Sequence, residues 1–127
     1  MKLETEKLAG DVTLVHLIGR MDIVGAAAID LRMSAIAGAA QLAVINLTQV
    51  SFVASMGIRT LVLAAKTIAK KGGKVVCFGA NADVARAMET AGVTQVLPIL
   101  TDLEAASAAV VPGSAQTSDK KAPARPS

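Results

Sequence analysis

The chain has 127 residues, a length that suits one domain rather than two. Its formal net charge is +3, with 53% hydrophobic and 18% charged residues, so burial can offset the entropy of ordering and global disorder is excluded. Phe52 and Phe78 are the only aromatic residues, too few for a base-stacking nucleic-acid platform or an aromatic cage. A single cysteine, Cys77, excludes an intramolecular disulfide framework and a Cys-based zinc site, and the single histidine, His16, excludes a two-His metal centre. No metal or cofactor is therefore expected. The opening MKLETEKLAG carries two glutamates and no apolar core, so a secretory signal is not expected there and a cytoplasmic setting is.

In chain order, Leu3 to Leu8 alternates and reads as a short edge strand, followed by turn material at Ala9-Gly10-Asp11. Val12 to Ile18 is apolar and β-branched, a buried strand, and Gly19-Arg20-Met21-Asp22 is expected to break it. Asp22 has the chemistry of an N-cap: its carboxylate can accept from the unpaired amides of a first helical turn. From Ile23 to Ala37, Ala26, Ile29, Met33, Ile36 and Ala37 recur at helical spacing, with Gly38 as the stop. Leu42 to Leu47 reads as a central strand buried on both faces, and Thr48 to Ser55 as a loop.

Met56 to Lys71 carries the strongest helical stripe, Ile58, Leu61, Val62, Ala65 and Ile68. Lys70 and Lys71 suit its C-terminal dipole, and Gly72-Gly73 stops it. Lys74 to Phe78 is a further strand. Asn81 can cap a helix through Ala91, with Val84, Ala87, Met88 and Ala91 inward. Val96 to Leu100 reads as an edge strand interrupted at Pro98, and Thr101 with Glu104 has capping-box spacing for a last helix. The order β-β-α-β-α-β-α-β-α implies one α/β domain with a mixed, mostly parallel sheet of about five strands and four helices. It is expected to span residues 1–111. Residues 112–127 hold three of the four prolines and no large apolar side chain, and read as a disordered Pro/Ser/Lys-rich tail. That tail carries much of the positive charge through Lys120, Lys121 and Arg125, so the charge is weak ground for a nucleic-acid partner.

No charged residue lies between Arg32 and Arg59, a stretch long enough by itself to cross a bilayer. It is interrupted by Ser34, Gln41, Asn46, Thr48, Gln49, Ser51 and Ser55, so a buried strand between polar turns is expected instead of membrane insertion. Catalytic signatures are missing. Gly72-Gly73-Lys74 lacks the leading glycine of a phosphate loop and precedes a strand. His16 reads as a satisfied strand histidine and Cys77 as a buried, inert thiol. The carboxylates form no recognisable acid–base pair, and no enzymatic activity is expected.

The informative segment is Asn46 to Arg59, NLTQVSFVASMGIR, in which a buried strand gives way to a polar loop and Ser55-Met56-Gly57 opens the strongest helix. Ser55 is expected at the N-cap, where a phosphate would meet the positive end of the helix. Gly19-Arg20-Met21-Asp22, Ile45-Asn46-Leu47, Val50 to Ile58 and Lys71-Gly72-Gly73 together resemble a STAS domain of the anti-sigma factor antagonist family, over about residues 3 to 110. The resemblance implies the STAS fold and partner switching. An unphosphorylated form would bind an anti-sigma factor that is also a histidine-kinase-like serine kinase. Phosphorylation at Ser55 would release it, and a PP2C-type phosphatase would reset it. The family's phosphorylated serine falls on Ser55, its glycine on Gly57 and its turn aspartate on Asp22. The aspartate before the serine is replaced by Ala54, and the following Ser/Thr by Met56. The expected partner surface is Asp22, Ser55, Met56, Gly57 and Ile58. The alternative is a STAS accessory subunit of a membrane lipid-transport ATPase, without a phospho-switch.

Overall fold

The computed structural model describes residues 1–111. The expected tail from Pro112 to Ser127 lies outside the described residues. Strands β1 (Lys2–Leu8) and β2 (Val12–Met21) form an antiparallel hairpin. Its turn places Gly10 and Asp11 at positive φ, the conformation that a tight reversal demands and that Gly and Asp tolerate. Then follow α1 (Ile23–Ala39), β3 (Leu42–Val53), α2 (Ser55–Lys70), β4 (Lys74–Phe78), α3 (Ala82–Thr90), a 3₁₀ turn (Val93–Gln95), β5 (Ile99–Leu100) and α4 (Leu103–Val110). The five strands lie in sequential order, and every pair after the first is parallel. Sequential right-handed crossovers leave α1, α2 and α3 on one face of the sheet.

Strand alternation divides the core in two. Val15, Leu17, Ile45, Leu47 and Cys77 point to the layer under α1, α2 and α3, and join Ile29, Met33, Leu61, Ile68, Val84 and Met88. Val12, Leu14, Val44, Val76 and Phe78 point the other way and meet Ala106 and Val110 of α4. Among the described residues no helix is long and apolar enough to cross a membrane.

Five local expectations are corrected. Gly19 to Met21 does not end β2, and the stretch expected as a loop after Leu47 is strand as far as Val53. The two strands remain paired through Met21 and Val53, with register shifts after His16 and after Gly19. Those bulges put Leu47, Val50 and Val53 on the same core at steps of three, a spacing that hides the period of two by which strands are read. Gly38 does not end α1, which runs to Ala39. The last strand is only Ile99–Leu100, because Val93–Gln95 forms a 3₁₀ turn and Pro98 has no N–H to donate; its carbonyl instead accepts from the Cys77 amide at 2.9 Å. The cap of α4 is Asp102, accepting from the Ala105 amide at 2.8 Å, rather than Thr101.

Candidate functional site

The parallel pairing of β2 and β3 brings two helix starts together. Met21 and Val53 are register partners at the C-terminal ends of their strands, and the Ala54 amide donates to the Met21 carbonyl at 2.9 Å. Asp22 and Ala54 are therefore neighbouring N-caps, one for α1 and one for α2. A glycine stands three residues after each cap. A Cβ at Gly25 would lie 2.1 Å from the Arg20 carbonyl oxygen, and one at Gly57 would lie 2.6 Å from Met21 Cγ and 2.7 Å from the Met21 carbonyl oxygen. Both helices can sit this close to the strand ends only because these positions lack a side chain.

Asp22 caps as its type suggests. Its Oδ1 accepts from the Gly25 amide at 2.8 Å. That bond holds the carboxyl below the usual carboxylate range; partial desolvation opposes the shift, and Arg20 reinforces it with Nε 3.5 Å from Oδ2. The Arg20 guanidinium also lies over the Phe52 ring, 4.5 Å from its centroid. Arg20 and Phe52 thus extend the site beyond the residues expected of it. Both lie inside the sequence segments that carry the family resemblance, but nothing in their spacing says that a bulged parallel pair sets Arg20 opposite Phe52.

Ser55 is not the cap. Because β3 runs on to Val53, Ala54 takes the N-cap position, with no side-chain bond, and Ser55 becomes the first helical residue. Its side chain is exposed, and among the described residues its hydroxyl has no hydrogen-bond partner. The hydroxyl is free for chemistry, next to first-turn amides that no side chain caps.

The expected surface divides in two around α2. Ser55 and Ile58 border a groove shared with Asp83, Arg86 and Ala87 of α3, where Arg86 pairs with Asp83 at 3.2 Å. Met56 is exposed on the opposite side of the helix, in a groove shared with Ile23, Ala27 and Asp30 of α1. Asp22, Ser55 and Met56 are brought to one end of the molecule. Gly57 is buried beneath them as a spacer, and Ile58 is half-buried against the core.

His16 and Cys77 lie elsewhere. His16 follows Val12 and Leu14 on the face of the sheet that carries α4. Asn46 Nδ2 donates to its Nδ1 at 2.9 Å, which leaves Nε2 to donate to Glu6 Oε1 at 2.8 Å. Asn46 is itself anchored, its Oδ1 accepting from the Thr48 amide and hydroxyl at 2.9 and 2.7 Å. Burial pushes the Cys77 thiol up to about 12, so it carries almost no thiolate near neutral pH.

A STAS domain family model matches residues 3–106. Among solved structures, an anti-sigma factor antagonist from Mycobacterium paratuberculosis is similar with a TM-score of 0.73 at 28% identity, over 86% of this chain and 92% of its own. An anti-sigma-factor antagonist (STAS) domain protein from Planctomyces limnophilus gives 0.73 at 18% identity, over 84% and 96%. The Bacillus cell fate determinant SpoIIAA in its phosphorylated form gives 0.64 at 17% identity, over 82% and 96%. No curated protein matches the chain in sequence.

Proposed function

The chain belongs to the STAS domain family, and from that premise we propose that it is an anti-sigma factor antagonist that switches partners through Ser55. The observation that carries this reading is the exposed hydroxyl of Ser55 at the start of α2, unengaged among the described residues and flanked by exposed Met56 and Phe52. The likeness to known antagonists supports it, including one whose structure has been solved in a phosphorylated form.

In the unphosphorylated state, Asp22, Ser55 and Met56 form a surface for an anti-sigma factor with a histidine-kinase-like fold. Gly57 and Ile58 fix the helix beneath it. Arg20, stacked on Phe52 and held by Asp22, presents a positive edge to the same partner. The partner transfers the γ-phosphoryl group of ATP to Ser55 Oγ. A new O–P bond forms, the bond to the β-phosphate oxygen breaks, ADP leaves, and the hydroxyl proton passes to a base on the kinase. The modification adds about −1.5 to −2 charges at neutral pH. The N-terminus of α2 tolerates that charge, so the domain stays folded while the docked partner is repelled. A PP2C-type phosphatase restores the hydroxyl. The protein acts by binding, in the cytoplasm, and catalyses nothing itself.

The replacement of the family's aspartate by Ala54 removes a carboxylate beside the acceptor. A phosphate on Ser55 is consequently opposed by no immediate like charge within its own turn.

The test is partner affinity by calorimetry for wild type, Ser55→Ala and Ser55→Glu, with intact mass before and after kinase and ATP. Wild type and Ser55→Ala should bind alike, and Ser55→Glu about 100-fold more weakly, a difference of about 3 kcal/mol. Only proteins that retain Ser55 should gain one phosphoryl mass. Equal binding by all three, with no phosphorylated form, would remove the switch.

A further inference from the structure

Helix α1 is apolar around most of its circumference, and only two of its residues, Asp30 and Arg32, are charged. Arg32 is committed, its guanidinium donating to the Leu3 carbonyl at 2.8 Å. Such a helix is ordinarily covered on all sides. Here Ile23 is 68% exposed, Val24 78% and Leu31 83%, and across the groove on α2 Met56 is 46% and Leu63 49% exposed. These are five of the seven large hydrophobic side chains that the described residues expose: Ile23, Met56 and Leu63 line the groove between the two helices, and Val24 and Leu31, seven residues apart, share the outward side of α1. The groove between the helices measures about 450 Å³ and continues past Asp30 and Leu63 to Ser34 and Thr67.

The charges on this face say what covers it. Asp30 stands on the α1 bank and Arg59 on the α2 bank. Among the described residues neither makes an ion pair or a side-chain hydrogen bond. A two-fold axis across the groove would set Asp30 of one molecule against Arg59 of the other, and its symmetry would make the same pair a second time. The face would thus complement itself, apolar at the centre and paired in charge at the banks. Residues 112–127 contain no Leu, Ile, Val, Met or Phe, so they offer an apolar groove no large side chain.

We propose that the α1–α2 face is a homodimer interface in which Leu31 and Val24 pack against a second copy and Asp30 pairs with Arg59 across the two-fold. The inference does not rest on the switch, because Ser55 borders the other groove, the one with α3. The dimer does cover Met56, so a second copy and a partner docked at the start of α2 would compete.

Sedimentation equilibrium of the full chain is the test, with circular dichroism to check that each variant is folded. Wild type should show a monomer–dimer equilibrium. Leu31→Glu, at a site that plays no part in the core, should weaken it about 30-fold or more. Asp30→Arg and Arg59→Asp should each weaken it about tenfold. The double variant Asp30→Arg with Arg59→Asp should recover wild-type dimerisation within a few-fold, because exchanging both signs rebuilds both pairs. Three outcomes overturn the proposal: a wild type that stays monomeric at all concentrations, a dimer indifferent to Leu31→Glu, or a double variant no better than the singles. A monomer that still binds an anti-sigma factor would assign this face to another partner and leave the Ser55 reading intact.

Discussion

At the scale of single residues, the caps show how side-chain chemistry and position combine. Asp22 and Asn81 each accept from an amide three residues ahead, at 2.8 Å, as their types suggest. Asp22 also makes a prediction about pH. Its folded carboxyl titrates below the ordinary value of 3.8, chiefly through the Gly25 amide. A depressed folded pKa contributes stability above the unfolded value and loses it as pH falls through the folded one. Thermal unfolding of wild type and Asp22→Asn should therefore differ most above pH 5 and converge as the pH drops below about 3.8. Asparagine keeps a capping oxygen but cannot ionise, so a gap between the two that stayed constant with pH would show that the charge contributes nothing. Ser55 has equally good capping chemistry and does not cap, because the position of the cap is decided by where β3 ends, not by which residue could serve.

At the scale of elements, the helices follow their apolar spacing more closely than the strands follow theirs at their ends. The stripe of α2 was visible in Leu61, Ala65 and Ile68, which are buried, with Ile58 and Val62 half-buried beside them. In α3, Val84 and Met88 point inward as spaced, whereas Ala91 is exposed beyond the last helical turn. Lys71 illustrates what periodicity cannot carry. Its charge suited the end of α2, yet its ammonium group donates to the carbonyls of Ala37, Gly38 and Ala40 at 2.7, 2.9 and 2.7 Å, closing the C-terminus of α1. The two helices are thus pinned at one end by Lys71 and at the other by Asp22, Gly25 and Gly57. Lys71→Met should lower stability by about 1–2 kcal/mol in urea unfolding with an unchanged m-value. A loss within a few tenths of a kcal/mol would mean that solvent caps α1 equally well.

At the scale of the whole molecule, the sheet is packed on both faces, with the larger core under α1, α2 and α3 and the smaller one under α4. Strand β4 lies between β3 and β5, and Cys77 at its centre is fully buried. With its pKa pushed up to about 12 and its sulfur near the Pro98 carbonyl, the thiol can react only when the sheet opens. Labelling by a disulfide reagent at pH 8 should run about a thousandfold or more slower than for a free thiol, and should accelerate in step with global unfolding in urea. Rapid labelling of the native protein would place a local opening at the β4–β5 edge. The α1–α3 side carries the exposed Ile23, Val24, Leu31, Met56 and Leu63, the unengaged Ser55 hydroxyl and the two grooves beside α2, so the proposed switch and the proposed dimer would both act on that side.

The order of elements, the mixed sheet and the apolar stripes were determined by the sequence, because periodicity and residue type act over one or two turns of chain. The same locality explains why the uncharged stretch between Arg32 and Arg59 could be read as strand and turn instead of a membrane span. What the tertiary structure decided depends on contacts between distant segments. The bulged pairing of β2 with β3 carried both strands further than alternation suggests, moved the cap to Ala54 and left the Ser55 hydroxyl unengaged. The close seat of α2 on Met21 turned Gly57 from a surface residue into a buried spacer. The side-by-side placement of α1 and α2 gathered Ile23, Met56 and Leu63, unremarkable singly in sequence, around one groove. A site is a property of neighbours, and these neighbours meet only when the sheet is paired.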